Sequence, residues 1–172
     1  MLKGIDPVLG PELLGILRAM GHADEICIAD ANFPATSNAR RVVRADGVTA
    51  TRLVRAIAEV MPIDDFVEAA AFSMEATGKP GDVPPIIGEF AVILKDAGYN
   101  RPIQALERFA FYDRATRCYA IVASGEERLW GNLILKKGWL PPGAYHSRKH
   151  TTLSSLGKYL QATGENFLPY AD

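Results

Sequence analysis

The run Glu25-Ile26-Cys27-Ile28-Ala29 is bounded so sharply that it constrains the whole fold. Gly21-His22-Ala23-Asp24 precedes it and Asp30-Ala31-Asn32-Phe33-Pro34 follows. A short apolar run between turn signals reads as a buried strand. Its ends carry an imidazole and a carboxylate, which suits acid–base chemistry on a polar, uncharged substrate. His22 matters further because the other two histidines, His146 and His150, lie in the C-terminal tail.

The surrounding pattern alternates helix and strand. Pro11 to Met20 reads as a helix, with Pro11 and Glu12 in its first turn and Gly21 past its end. Thr49 or Thr51 caps a second helix running to Val60, with Leu53, Val54 and Ile57 on one side. Phe66 to Met74 reads as a strand, and Gly78 to Pro85 as a loop. Ile86 to Lys95 and Glu107 to Thr116 read as helices, and Cys118 to Ala123 and Leu133 to Leu135 as strands. The basic stretch Arg40 to Arg44 leads into the Ala45-Asp46-Gly47 turn and is read as a solvated or interface patch. This order predicts a single layered α/β domain, a mixed central sheet flanked by helices, over residues 1–139. From Leu140 the pattern weakens, so residues 140–172 are expected to be an extension with at best a marginal helix through Leu153, Leu156 and Leu160.

Composition narrows function mostly by exclusion. A formal net charge of −1 provides no field for nucleic acid or an anionic membrane. No apolar run is long enough to span a bilayer, and the N-terminus lacks a signal-peptide pattern. Cys27 and Cys118 have no metal-ligand spacing and read as small buried side chains in a cytoplasmic protein. There is no dinucleotide-binding glycine fingerprint, P-loop or nucleophile elbow. No metal or other cofactor is therefore expected.

Several residues remain with chemistry to offer. His22 can donate and accept protons near neutrality; alternatively it complements the negative end of the first helix beside Asp24. Asp30 sits at the carboxyl end of a strand, where open α/β sheets bind ligands, or else closes an Asx turn. Arg108 offers guanidinium donors to sugar oxygens, or forms an ion pair with Glu107 or Asp113. Tyr112 supplies a phenol or packs in the core. In Trp130-Gly131-Asn132 the indole can stack on a sugar face and the amide can bond two hydroxyls; the alternative is a backbone-driven turn.

His22 and Asp30 pose a geometric problem. An extended residue advances about 3.3 Å, so a straight strand holds the two much farther apart than a pyranose ring is wide. Either the segment bends sharply, or one site draws His22 and Asp30 from different subunits. The second is the expectation.

Gly21-His22 with Asp24 and Asp30, Arg44-Ala45-Asp46-Gly47, Arg108-Phe109-Ala110-Phe111-Tyr112, and Gly131-Asn132 ahead of Leu135-Lys136-Lys137-Gly138 together resemble the fucose mutarotase and ribose pyranase (RbsD/FucU) family. The Arg-Phe-Ala-Phe-Tyr segment looks like the fucose branch. The resemblance implies a cytoplasmic isomerase acting on free monosaccharides without metal or nucleotide. His22 would be the proton donor, with Asp30, Arg108, Trp130, Gly131 and Asn132 on the sugar. It also implies a homo-oligomer, a toroidal decamer in bacterial members, with sites between subunits.

Two departures stand out. Trp130 replaces a usual tyrosine, and Asn32 replaces a frequent histidine. If the missing phenol shuttled a proton, Tyr112 or water must take that role, or the preferred sugar has changed. The expected activity is interconversion of sugar anomers, most simply of L-fucose. D-ribose pyranase activity, a non-catalytic monosaccharide-binding module and an oligomeric scaffold remain open alternatives.

Overall fold

The computed structural model describes residues 2–76, 78 and 81–141. The elements, in chain order, are α1 (Pro11–Ala19), β1 (Glu25–Ala29), α2 (Ala35–Asn38), β2 (Val42–Ala45), α3 (Ala50–Val60), β3 (Ala71–Met74), α4 (Pro85–Asp96), β4 (Gln104–Leu106), α5 (Arg108–Arg117), β5 (Ala120–Ser124) and β6 (Leu133–Lys136). The strands form one six-stranded sheet in the order β2-β5-β1-β6-β3-β4. Only β6 runs against its neighbours: it is antiparallel to β1 and β3, whereas the pairs β1–β5, β2–β5 and β3–β4 are parallel.

Helices cover both faces, so the central strands are buried on both sides. Ile26, Ile28, Leu133 and Leu135 face a core built with Leu13, Leu17, Leu53, Ile57, Phe90 and Leu94. Cys27, Ile121 and Ile134 face a smaller core with Phe33, Phe72 and Phe111. That two-sided burial explains why β1 and β5 read as continuous apolar runs rather than alternating ones. Cys27 and Cys118 are buried free thiols, and burial drives both up, Cys118 to about 12.

The expected α/β layering is present, with three differences in detail. β3 covers only the second half of the expected Phe66 to Met74 strand, since residues 66–70 loop toward it. The Arg40 to Arg44 stretch runs into β2, with Val43 buried and Arg44 exposed beside Asp46. β4 and the four-residue α2 were not foreseen either. Thr49 rather than Thr51 caps α3, its hydroxyl accepting the Arg52 N–H. The extension expected over residues 140–172 lies, from residue 142 onward, outside the described residues.

Candidate active site

The topology sorts the candidate residues by itself. β1 to β5 all point the same way, so their carboxyl ends share one edge of the sheet, where the antiparallel β6 begins. Asp30 follows β1, Arg108 opens α5 just after β4, and Trp130, Gly131 and Asn132 lead into β6. Tyr112 lies one turn into α5, with its ring 5.3 Å from Phe33. His22 lies apart, before β1 at the opposite edge. Five residues of straight strand, about 16 Å at 3.3 Å each, separate the two edges.

Asp30 is held on every side. Its backbone N–H donates to Asn132 Oδ1 at 2.8 Å, and Asn132 Nδ2 donates to Asp30 Oδ2 at 2.7 Å. Oδ1 accepts the Asn32 N–H at 3.0 Å, so the Asx turn foreseen as an alternative does form. Burial is the largest influence and holds the Asp30 carboxyl above its ordinary value, against the bonds from Asn132, Asn32 and Phe33; nearby Glu126 pushes the same way as burial. Asn132 is itself buried, and both ends of its amide are engaged with Asp30. Its first task is to orient that carboxylate.

The loop carrying Trp130 is clamped. Arg128 donates through Nε and Nη2 to the two oxygens of buried Glu126, at 2.7 and 3.0 Å, and through Nη1 to Glu89 of α4. Trp130 adopts φ +59°, an uncommon conformation for a bulky side chain. A Cβ on Gly131 would lie 2.7 Å from Glu126 Cγ, so only glycine fits there.

Arg108 stands at the first position of α5, where the helix dipole disfavours a cation. Neither expected ion-pair partner holds it. Glu107 caps the helix by accepting the N–H groups of Phe109 and Ala110, and Asp113 pairs with Arg117. The Arg108 guanidinium lies instead over the Phe109 ring, 4.7 Å from its centroid.

At the other edge, the His22 side chain is 48% exposed. The alternative role beside α1 is taken by Lys137, whose Nζ donates to the carbonyls of Leu17 and Met20 at 2.8 and 2.6 Å. Asp24 does not orient His22: its Oδ2 accepts the Gly21 N–H at 2.7 Å and closes the turn, in which Ala23 adopts φ +68°. The carboxylate facing His22 is Asp64, with Oδ2 3.4 Å from Nε2. Phe66 packs edge-on against the imidazole at 6.0 Å, and Trp139 against Phe66 at 6.4 Å. Asp64 and Phe66 went unremarked in the sequence, because only the tertiary fold brings them to His22.

A groove of about 570 Å³ between α3 and α4, lined by Arg52, Arg55, Glu89 and Val92 among others, contains none of these candidates. Among the described residues no cluster of three or more His, Cys, Asp or Glu side chains is arranged to hold a metal ion, and no helix is long and apolar enough to cross a membrane.

A family model described as the RbsD / FucU transport protein family matches residues 3–140. A fucose mutarotase of Danio rerio is 45% identical over 150 residues, covering 83% of this chain and 96% of its own. An L-fucose mutarotase of Actinobacillus pleuropneumoniae is also 45% identical, over 82% of this chain and 99% of its own. The crystal structure of the Streptococcus pneumoniae fucose mutarotase in complex with L-fucose superposes with a TM-score of 0.76 at 39% identity, covering 81% of this chain and all of that one.

Proposed function

We propose that this chain, which belongs to the RbsD / FucU transport protein family, is a mutarotase that interconverts the α and β anomers of a free monosaccharide, L-fucose foremost. The observation that carries this reading is the 45% identity to fucose mutarotases over most of both chains. The half-exposed His22 and the polar cluster around Asp30 supply what the reaction needs.

Mutarotation requires one proton delivered to the ring oxygen and one removed from the anomeric hydroxyl. The ring opens to the aldehyde, the C1–C2 bond rotates, and closure yields the other anomer. His22 is the proton-transfer group. Asp30 and Arg108 anchor hydroxyls, Asn132 keeps Asp30 aligned, and the Trp130 indole stacks on the sugar's apolar face. Gly131 keeps the loop close to the sugar, and Tyr112 offers a phenol.

The site is composite. His22 and the Asp30 cluster occupy opposite edges of one sheet, which supports a site completed between two subunits of a homo-oligomer, by family resemblance a decameric ring. The family match ends at residue 140, which favours residues 1–139 as the sugar-handling domain and 140–172 as an extension. Two buried free thiols suit a reducing cytoplasm.

Saturation-transfer NMR on free L-fucose tests the activity directly. Anomer exchange should quicken with protein and collapse in His22→Ala. Faster pyranose–furanose exchange of D-ribose would instead mark a pyranase. Mixing and reassembling His22→Ala with Asp30→Asn, each inactive alone, should restore activity; persistent inactivity would overturn the composite site.

A further inference from the structure

Asp64 is a buried carboxylate whose full hydrogen-bonding capacity the fold does not use. It lies between α3 and β3 with its side chain 1% exposed. Oδ1 accepts the Phe66 N–H at 3.0 Å, while Oδ2 is buried with no hydrogen-bond partner. Native proteins rarely leave such an acceptor unpaired, and the exceptions call for a reason. The group it faces is His22 Nε2, 3.4 Å away.

We infer that Asp64 is a positioning residue for His22. It accepts the Nε2–H, fixes the imidazole tautomer, and leaves Nδ1 as the nitrogen that exchanges protons with the sugar. The inference rests on the mutarotase reading for its consequence but not for its geometry. Oδ2 is shut off from solvent, and the imidazole is the group it faces. A separation of 3.4 Å is long for a hydrogen bond, yet such contacts tighten when the base is engaged.

The backbone keeps the two residues in register. Asp64 N–H donates to the Lys136 carbonyl at 3.1 Å, and Gly138 N–H to the Pro62 carbonyl at 2.9 Å. On its other side the same segment grips the His22 turn: Ala23 N–H donates to the Lys137 carbonyl, and Lys137 N–H to the Asp24 carbonyl. Asp64 and His22 therefore flank one short strip of chain. A base oriented by a buried carboxylate is a recurring arrangement in proton-transfer sites.

The proton balance is simple. In ring opening, Nδ1–H of the imidazolium gives its proton to O5 as the C1–O5 bond breaks. The O1–H proton leaves to water as the C1=O1 bond forms. On closure, neutral Nδ1 takes the O5 proton as O5 attacks C1, and O1 regains a proton from water. Throughout, Asp64 holds Nε2–H.

Histidine ¹⁵N spectra of the full chain test this without reference to activity, with the His22 signals identified by their loss in His22→Gln. The expected neutral form carries its proton on Nε2. A proton on Nδ1 in the wild type would overturn the inference even if Asp64→Asn failed to fold. In folded Asp64→Asn, whose amide can donate to Nε2, the tautomer should reverse and anomer exchange should fall by about 10²-fold or more. Sugar affinity should change by less than about threefold, because only a transition-state interaction is lost. Unchanged exchange, or affinity lost in step with rate, would overturn it. Absence of exchange by the wild type would instead remove the mutarotase reading and leave the tautomer result standing.

Discussion

Asn132 and Asp30 are bonded to each other twice, backbone N–H to amide oxygen at 2.8 Å and amide nitrogen to carboxylate at 2.7 Å. Both are buried, so neither bond competes freely with water. Asn132→Ala strands a buried N–H and a carboxylate oxygen together. Unfolding free energy in urea should fall by about 1–3 kcal/mol. Sugar affinity should fall as well, because Asp30 loses the contact that aims it. Unaltered stability and affinity would mean that the pair is incidental to both.

The two acids beneath this edge should respond to pH in opposite ways. Burial raises Asp30 above its unfolded value, so the folded state holds that proton more tightly. The stability this contributes is fully present below about pH 4 and is lost as pH rises through the folded value. The Arg128 guanidinium depresses Glu126 below its ordinary value. The stability from Glu126 is present above its unfolded value, about pH 4.5, and is lost as pH falls through the folded one. Thermal melts should therefore show Glu126→Gln costing less as pH drops below that point. Asp30→Asn should remove a component that declines as pH rises above 4. A parallel offset at every pH would contradict both assignments.

Arg108 combines an unfavourable place on a helix with no carboxylate partner among those foreseen. Its one described contact is with the Phe109 ring, which leaves its N–H donors open to the ligand role proposed for it. Arg108→Ala should leave stability within about 0.5 kcal/mol of the wild type. It should weaken L-fucose binding, measured by titration calorimetry, by roughly tenfold or more, as expected for losing a charged hydrogen bond. A stability loss with intact binding would reverse the argument.

The central elements were legible because local chemistry and tertiary demand agree there. Apolar β1, the Thr49-capped α3 and the Pro11-led α1 each carry start and stop signals that the fold obeys. The edges were not. β2 has four residues in a stretch flanked by Arg40 and Arg41 and containing Arg44, and β4 has three residues, so neither builds a recognisable pattern. The Phe66 to Ala70 segment looked like strand because all but Glu68 is apolar, yet its phenylalanine lies against His22. Asp30, Asn132 and Arg108 could be picked from type and position. Asp64, Glu126 and Arg128 could not, since their meaning comes from partners brought close only by folding.

Lys137 ties the end of α1 and the His22 turn together at four points. Its Nζ donates to the Leu17 and Met20 carbonyls at the end of α1, and its backbone bonds Ala23 and Asp24 beyond the histidine. Lys137→Met keeps the chain's bulk and its backbone bonds but removes both ammonium contacts. Two carbonyls then lose their donor, and Ala23 at φ +68° has less to hold it there. Stability should fall by about 1–3 kcal/mol. Anomer exchange should fall about tenfold or more at saturating sugar, while half-saturation barely moves, because the imidazole has shifted and the hydroxyl contacts at the far edge have not. Lys137→Arg, whose planar fork does not reproduce a compact ammonium between two carbonyls, should recover stability better than rate. Equal recovery of both would reduce Lys137 to a helix cap with no bearing on His22.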